Sequence, residues 1–336
     1  MPHHALRWGV LGSAAIARKA VIPAIHAAIG NDVLAVASRE AARAERFARE
    51  VGAPRAYGSY DDLLADPQVE AVYVPLPNAL HAPWTIRAVE AGKHVLCEKP
   101  LAVSAAECQR MHEAADAAGV QLMEAFMYRH HPRTQRLIEM VREGALGDVR
   151  WLQASFAFTV ADPANVRLSA ELAGGALMDV GCYTIDVARA LVGSEPHEAQ
   201  AHATWAPSGV DESLAGSLRF DGGVVAQLAC SLAAVRTEAY EVVGSRGRLR
   251  VHKAFLPGND DCEALLERPG GEIERLTFAG VDQYQLMVEA FARAVRSGGR
   301  PTLGQDGAHT LRAIEALHAS ARAGGRLQPL EPPTAA

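Results

Sequence analysis

His94-Val95-Leu96-Cys97-Glu98-Lys99-Pro100-Leu101 is the stretch on which the fold turns. A short apolar run ends in a carboxylate, an ammonium and a proline, the pattern of a buried strand that delivers charged groups at its carboxyl end. In an open parallel sheet that end faces the ligand crevice. Pro100 has no amide for a ladder and restricts the residue before it, so the strand is expected to stop here with Lys99 held extended. Alone, the segment also reads as a surface Glu-Lys pair; its surroundings decide between the two.

Upstream, Arg7 to Leu11 reads as a first strand, followed by Gly12-Ser13-Ala14-Ala15-Ile16-Ala17 and an amphipathic run through Ala28. This is a G-x-A-x-x-A turn, in which a glycine permits the tight bend and small residues let a pyrophosphate approach the helix start. Ala14 departs from the full glycine fingerprint. The second strand, Val33 to Ala37, ends in Ser38-Arg39, where an NAD site carries an acid for the ribose hydroxyls. The acid is missing. A guanidinium makes paired hydrogen bonds to a 2'-phosphate, and Arg43 lies one turn along an expected helix over 40–51, so NADP is the expected cofactor and NAD the alternative.

Alternation continues through a strand at Ala71 to Val74, the loop Pro75-Leu76-Pro77-Asn78 and a helix from Leu80 to Ala91. A helix from Ser104 to Ala118 then opens on Ser104 and Glu107 at capping-box spacing, and Val120 to Met123 makes a last strand. Strands separated by crossover helices imply a parallel, doubly wound sheet, a nucleotide-binding domain over residues 1–124. From 125 to 336 the texture changes. A helix is expected over Tyr128 to Glu143 and a strand over Val149 to Val160. A helix runs from Gly174-Gly175 through Leu191. Strands follow at 197–206, 212–220, 223–234, 238–243, 247–252, 262–267 and 272–278, then helices at 283–297 and 307–323 and an irregular tail over 328–333. Strands joined by short turns make a largely antiparallel open sheet with helices on one face, an α+β domain whose other face suits a subunit interface.

The chain has 336 residues, enough for two domains of roughly 130 to 200 residues. It is 49% hydrophobic and 21% charged, with a net charge of -6. That composition is globular, and the charge argues against a nucleic-acid partner. No apolar run approaches the ~20 residues of a membrane span, and Met1 to Trp8 lacks a secretory pattern. Five cysteines without a C-x-x-C pair suit reduced thiols in a cytoplasm. His130-His131 has no further ligand at metal spacing, so no metal site is expected.

One helix of the second half stands out: Gly174-Gly175-Ala176-Leu177-Met178-Asp179-Val180-Gly181-Cys182-Tyr183-Thr184-Ile185-Asp186. Asp179, Tyr183 and Asp186 share a face at i, i+4, i+7 on an otherwise apolar helix. An unpaired carboxylate there costs several kcal/mol, so Asp179 needs a partner or a wet cavity. Lys99 and Tyr183 make chemical sense together. A phenol of ordinary pKa about 10 is a poor base at neutral pH, and an ammonium about 4 Å away favours the phenolate by about 4 kcal/mol at an effective dielectric near 20.

The chain resembles the Gfo/Idh/MocA oxidoreductases over nearly its whole length. The resemblance is carried by Trp8 through Ala17, by Val74-Pro75-Leu76-Pro77-Asn78-Ala79-Leu80-His81, by Glu98-Lys99-Pro100 and by Gly174 through Asp186. It implies an N-terminal Rossmann domain and a C-terminal α/β domain that forms homodimers or homotetramers through its open sheet. Many members carry histidine four residues after the helix aspartate. Tyr183 at that position, with Met123 through Arg129, resembles the branch of dihydrodiol dehydrogenases and NADP-dependent D-xylose dehydrogenases. The resemblance implies Lys99 and Tyr183 as the catalytic pair, with Asp179 near the substrate hydroxyls. The cofactor would meet Gly12, Ser13, Ala14, Ala15, Ile16, Ser38, Arg39 and Arg43. It would also meet Pro75, Leu76 and Lys99; Asn78, His81, Glu98 and Tyr284 would line its nicotinamide half, and Arg129 and Arg167 would stand on the substrate side. The expected reaction is hydride transfer at a secondary alcohol or ketone of a sugar or cyclic diol. The alternatives are reduction of a nucleotide-linked keto sugar, a redox-cycling glycosidase and a non-catalytic NADP-binding regulator.

Overall fold

Strand β1 (Leu6–Leu11) is buried at every residue except Arg7, as a central strand covered on both faces must be. In the computed structural model, which describes residues 5–330, it is joined by β2 (Asn31–Ala37), β3 (Arg55–Tyr57), β4 (Ala71–Val74), β5 (His94–Cys97) and β6 (Leu122–Glu124). The order is β3-β2-β1-β4-β5-β6 and every pairing is parallel, the doubly wound sheet expected from the alternation. The strand order reverses at β1 and β4, so the crevice of this sheet opens at their carboxyl ends.

Helices α1 (Ile22–Ala27), α2 (Ala41–Val51), α3 (Tyr60–Ala65), α4 (His81–Glu90) and α5 (Ala105–Ala118) connect these strands. A π-turn, Ala17–Val21, precedes α1, so the helix after the glycine turn is wound more loosely than its periodicity implies. Ser104 Oγ accepts the Glu107 amide at 3.2 Å, as the capping-box spacing requires. The β3 and α3 elements were not expected; three and six residues are too short for a periodic signal.

The chain forms two compact units. The first is Met1–His130 with Asp282–Gly307, and the second is His131–Val281 with Ala308–Ala336. The return segment in the first unit holds a helix at Gln283–Ser297, whose Phe291 ring lies 5.1 Å from the ring of the fully buried Trp8.

In the second unit, α6 (Pro132–Arg142) starts later than expected. Met127–His130 is a 3-10 turn, and Pro132 sits at the first helical position behind a cap from the His131 ring, which accepts the Arg133 amide at 3.0 Å. The sheet contains β7 (Val149–Thr159), β8 (Glu198–Trp205), β9 (Asp211–Arg219), β10 (Val225–Ser231), β11 (Ala233–Gly244), β12 (Arg248–His252), β13 (Cys262–Glu267), β14 (Ile273–Phe278) and β15 (Gln328–Pro329). Its order is β14-β13-β12-β11-β7-β10-β9-β8-β15, antiparallel except for the parallel pair β7 and β10.

Between β7 and β8 lies α7 (Cys182–Val192); α8 is the Gln283–Ser297 helix of the first unit, and α9 (Gly307–Arg322) follows it. Phe156 of β7 packs on Tyr183 of α7, whereas Gln153, Ser155, Ala229, Ser217 and Ala239 line a concavity of about 650 Å³ on the sheet. The tail departs from expectation at Gln328–Pro329, which pairs with β8; residues 331–333 of that tail lie outside the described residues, as do Met1 to His4. Among the described residues no helix is long and apolar enough to cross a membrane, and no three His, Cys, Asp or Glu side chains gather as a metal site.

Candidate active site

In the first unit the glycine turn closes the end of β1. Gly12 has φ +94°, its amide bonds the Ala37 carbonyl at 2.8 Å, and a Cβ there would meet Leu76 Cδ2 at 3.0 Å. Only glycine lets the backbone take this path. Ser13, Ala14 and Ile16 are half-buried and Ala15 is exposed around the start of the first helix. Ser38, just past β2, is buried, with its amide on the Tyr57 carbonyl at 3.1 Å. Arg39 and Arg43 are exposed, and Arg43 Nε donates to Ser13 Oγ at 2.6 Å. Burial pushes the Tyr60 phenol up against the pull of Arg39 and Arg43, so both guanidiniums gather where Tyr60 meets the turn. A glycine bend at the end of a central parallel strand fits a dinucleotide.

The carboxyl end of β5 carries Glu98 and Lys99, both half-buried. Tyr73 Oη donates to Glu98 Oε1 at 2.5 Å, and the Lys99 amide donates to Glu98 Oε2 at 3.3 Å. Burial and then the Glu98 charge push the Tyr73 phenol well up, so it remains a donor, and Tyr284 is near enough to add to that shift. The Lys99–Pro100 peptide is cis, and the next amide, Leu101, donates to Glu124 Oε1 at 2.7 Å. Pro75 and Leu76 are buried and Asn78 opens a short 3-10 turn, Asn78–Leu80. His81 is fully buried, with Nδ1 2.8 Å from the Pro100 carbonyl and Nε2 2.7 Å from the Leu76 carbonyl. Its ring therefore ties the loop after β4 to the Lys99 segment. Arg129 is half-buried in the 3-10 turn of this unit, where its charge and that of Arg293 reach His130.

In the second unit the helix of Asp179 and Tyr183 begins with a π-turn, Leu177–Gly181, and continues as α7. Such turns are frequent at functional positions. The glycine pair before it is dictated by contact: a Cβ on Gly174 would lie 2.3 Å from the Arg167 carbonyl oxygen, and Gly175 has φ +115° while its amide bonds that oxygen at 2.8 Å. The loop is thereby folded onto the helix start, and Arg167 Nε donates to Asp179 Oδ2 at 2.6 Å. Arg167 also lies over the Phe158 ring, 5.7 Å from its centroid. The Tyr183 ring is 95% buried, packed at 5.3 Å against both Phe156 and Phe255, which stack on each other. Asp186, the third member of the polar face, is fully inside the unit and paired with Arg189 at 3.8 Å; Arg189 also holds Glu195 and Thr310. That pairing offsets the burial of its charge and makes it structural.

Phe156 on β7 and Phe255 in the bend after β12 were not expected, because an aromatic carries no sign in the sequence of which ring it will face. Tyr73 and Tyr60 were not expected either, because the groups they meet, Glu98 and the Gly12 turn, are remote from them in sequence. Arg129 and Arg167, read together as substrate-side candidates, belong to different units.

Comparison with known proteins gives this arrangement a family. Residues 6–126 match the oxidoreductase family with NAD-binding Rossmann fold, and residues 134–250 match the GFO/IDH/MocA C-terminal domain. The chain is 41% identical over 325 residues to a D-xylose 1-dehydrogenase (NADP(+)) of Haloferax volcanii, covering 96% of this chain and 99% of that one. It is 34% identical over 258 residues to a trans-1,2-dihydrobenzene-1,2-diol dehydrogenase of Mus musculus, covering 75% and 76%. It is also similar to the crystal structure of a 3-ketoreductase from Actinomadura kijaniata in complex with NADP and TDP-benzene, with TM-score 0.90 and 35% identity over 94% of this chain and 98% of that one. A doubly wound sheet with a glycine turn at its switch point, followed by a nine-stranded sheet whose helix carries Asp179 and Tyr183, makes this chain a member of the Gfo/Idh/MocA family of NAD(P)-dependent oxidoreductases.

Proposed function

We propose that the protein is an NADP-dependent dehydrogenase or reductase acting on a secondary alcohol or ketone of a sugar or cyclic diol. The observation that carries this reading is the buried phenol of Tyr183, walled by Phe156 and Phe255, one helical turn beyond an Asp179 that Arg167 holds in place. When bound, the nicotinamide accepts or supplies the hydride. Tyr183 takes the hydroxyl proton in oxidation and returns it in reduction, and Lys99 is the second residue of the proposed catalytic pair. Asp179 receives a neighbouring substrate hydroxyl, and Arg167 keeps that carboxylate oriented. On the cofactor side, Gly12 through Ile16 and Ser38 cradle the pyrophosphate and ribose. Arg39 and Arg43 hold the 2'-phosphate. Pro75, Leu76, Asn78, Glu98 and Tyr284 line the nicotinamide half, with His81 supporting them from behind. Arg129 stands as the second substrate-side cation.

The dehydrogenase of Haloferax volcanii supports a free sugar and the mouse enzyme a cyclic diol. The ketoreductase that holds TDP-benzene supports a second reading, a nucleotide-linked keto sugar. A panel of pentoses, hexoses, inositols, cyclic diols and nucleotide-linked sugars with NADP, followed at the nicotinamide band, tests both. Turnover of free polyols supports the first, turnover of nucleotide-linked sugars alone replaces it with the second, and no change at the nicotinamide band with any of them removes both readings.

The open face of the nine-stranded sheet, floored by Ser155, Ala215, Ser217, Ala229 and Ala239, supports a homodimer or homotetramer formed through it. Light scattering on a variant carrying Ala229→Arg tests that surface. Among the described residues all five cysteines are free and four are buried, which supports a cytoplasmic protein.

A further inference from the structure

We infer that Asp211, held by His318, is a positioning residue for the helix that bears Asp179 and Tyr183. The inference rests on the reading of Tyr183 as the proton-exchanging group.

Asp211 is the first residue of β9 and is 1% exposed. Its carboxylate faces two donors from distant parts of the second unit. Oδ2 accepts the amide of Leu177 at 2.6 Å, and Oδ1 accepts Nε2 of His318, on α9, at 2.9 Å. Leu177 is the first residue of the π-turn, and that turn has no side-chain cap of its own. The first amides of any helix lack partners within it, and a carboxylate there satisfies one of them and complements the positive end of the helix dipole. Here the cap arrives from another strand.

The same carboxylate explains Gly175. A Cβ on that residue would stand 2.3 Å from Asp211 Oδ1, so the backbone passes directly against the acid. Leu177 lies two residues before Asp179 and six before Tyr183, and the stiff helix between them carries any displacement of Leu177 to both. A carboxylate this buried costs free energy, and the two donors offset that cost at one geometry only. His318 thus sets the direction of Asp211, and Asp211 sets the register of the π-turn. Neither residue is assigned contact with substrate; they act through the helix.

The test compares kcat, the substrate KM and cofactor affinity for Asp211→Ala, Asp211→Asn, His318→Phe and Tyr183→Phe, well below the unfolding temperature and per mole of folded enzyme. A misplacement of about 1 Å at a reacting group costs about 100-fold in rate. Asp211→Ala is therefore expected to lower kcat by about 10- to 100-fold with cofactor affinity within about twofold of the parent. Asp211→Asn, which keeps an oxygen for the Leu177 amide, restores most of that loss. A cap acting only on stability would lower the unfolding temperature without this split between kcat and cofactor binding or this rescue. If Asp211→Ala does not fold, His318→Phe decides, with an expected fall in kcat of about 3- to 10-fold. Parental kcat in Asp211→Ala, or in His318→Phe where that variant decides, overturns the inference alone when Tyr183→Phe is inactive. Full turnover in Tyr183→Phe overturns the proton-exchange reading and the inference with it.

Discussion

Nδ1 of His81 stands 2.8 Å from the Pro100 carbonyl oxygen while Nε2 stands 2.7 Å from that of Leu76, so one buried ring joins the loop after β4 to the segment that presents Lys99. Burial brings the imidazole down to about 4, against the two carbonyls, which favour the charged ring, and with the Lys99 charge adding to the fall. At neutral pH the ring therefore carries one proton and donates to one of the two carbonyls. His81→Leu leaves that carbonyl buried without its donor. The expected result is a loss of about 1–3 kcal/mol in urea denaturation together with a lower kcat, because the Lys99 segment loses its brace. An unchanged denaturation midpoint with unchanged turnover would contradict this role.

Tyr183 lies among Phe156 and Phe255, where a phenylalanine ring fits the same space. Tyr183→Phe should lower kcat by about 10²–10⁴-fold, the range of general acid-base catalysis. NADPH binding, read by fluorescence titration, should stay within about twofold, since the change removes a proton carrier and little else.

Arg39 and Arg43 border the glycine turn, and Arg43 is already oriented by Ser13. Replacing both by serine should lower kcat/KM for NADP by about 10- to 100-fold per lost charge-assisted contact and leave that for NAD nearly unchanged. Steady-state kinetics with both cofactors checks this. An equal fall for NAD and NADP would show that the arginines do not read the 2'-phosphate.

His131 accepts the Arg133 amide on Nδ1, which requires an unprotonated nitrogen there. Burial, and then the Arg133 charge, hold its pKa at about 4, below the 6.5 of an unfolded chain. The unfolded state thus binds the extra proton first. Stability is complete above about pH 6.5 and is lost as the pH falls toward about 4, by roughly 3 kcal/mol for such a shift. His130, also held at about 4 by burial and by Arg129 and Arg293, adds in the same direction. Urea denaturation across pH 4 to 7 should show this slope. His131→Asn, which caps without titrating, should flatten part of it.

Much of the fold was legible because its signals are local. The apolar run ending at Glu98, the Gly12 turn, the Ser104 cap and the bounds of the Gln283–Ser297 helix depend on residues a few positions apart. Period and punctuation encode such features directly. The candidate residues Glu98, Lys99, Asp179 and Tyr183 also stand in local runs, which is why their types and spacings single them out in the sequence.

What only the tertiary structure decided is which distant side chain meets which. No local pattern sends Phe291 to Trp8, stacks Phe255 on Phe156 beside Tyr183, or brings Asp211 to the amide of Leu177. The polar face Asp179, Tyr183, Asp186 looked uniform along the helix, yet Arg167 takes the first and Arg189 the last. The reason is physical. Helix and strand periodicities come from steric and hydrogen-bond preferences within a few residues, whereas a buried charge finds its partner through the path of the whole chain, where packing and desolvation leave one arrangement that satisfies both.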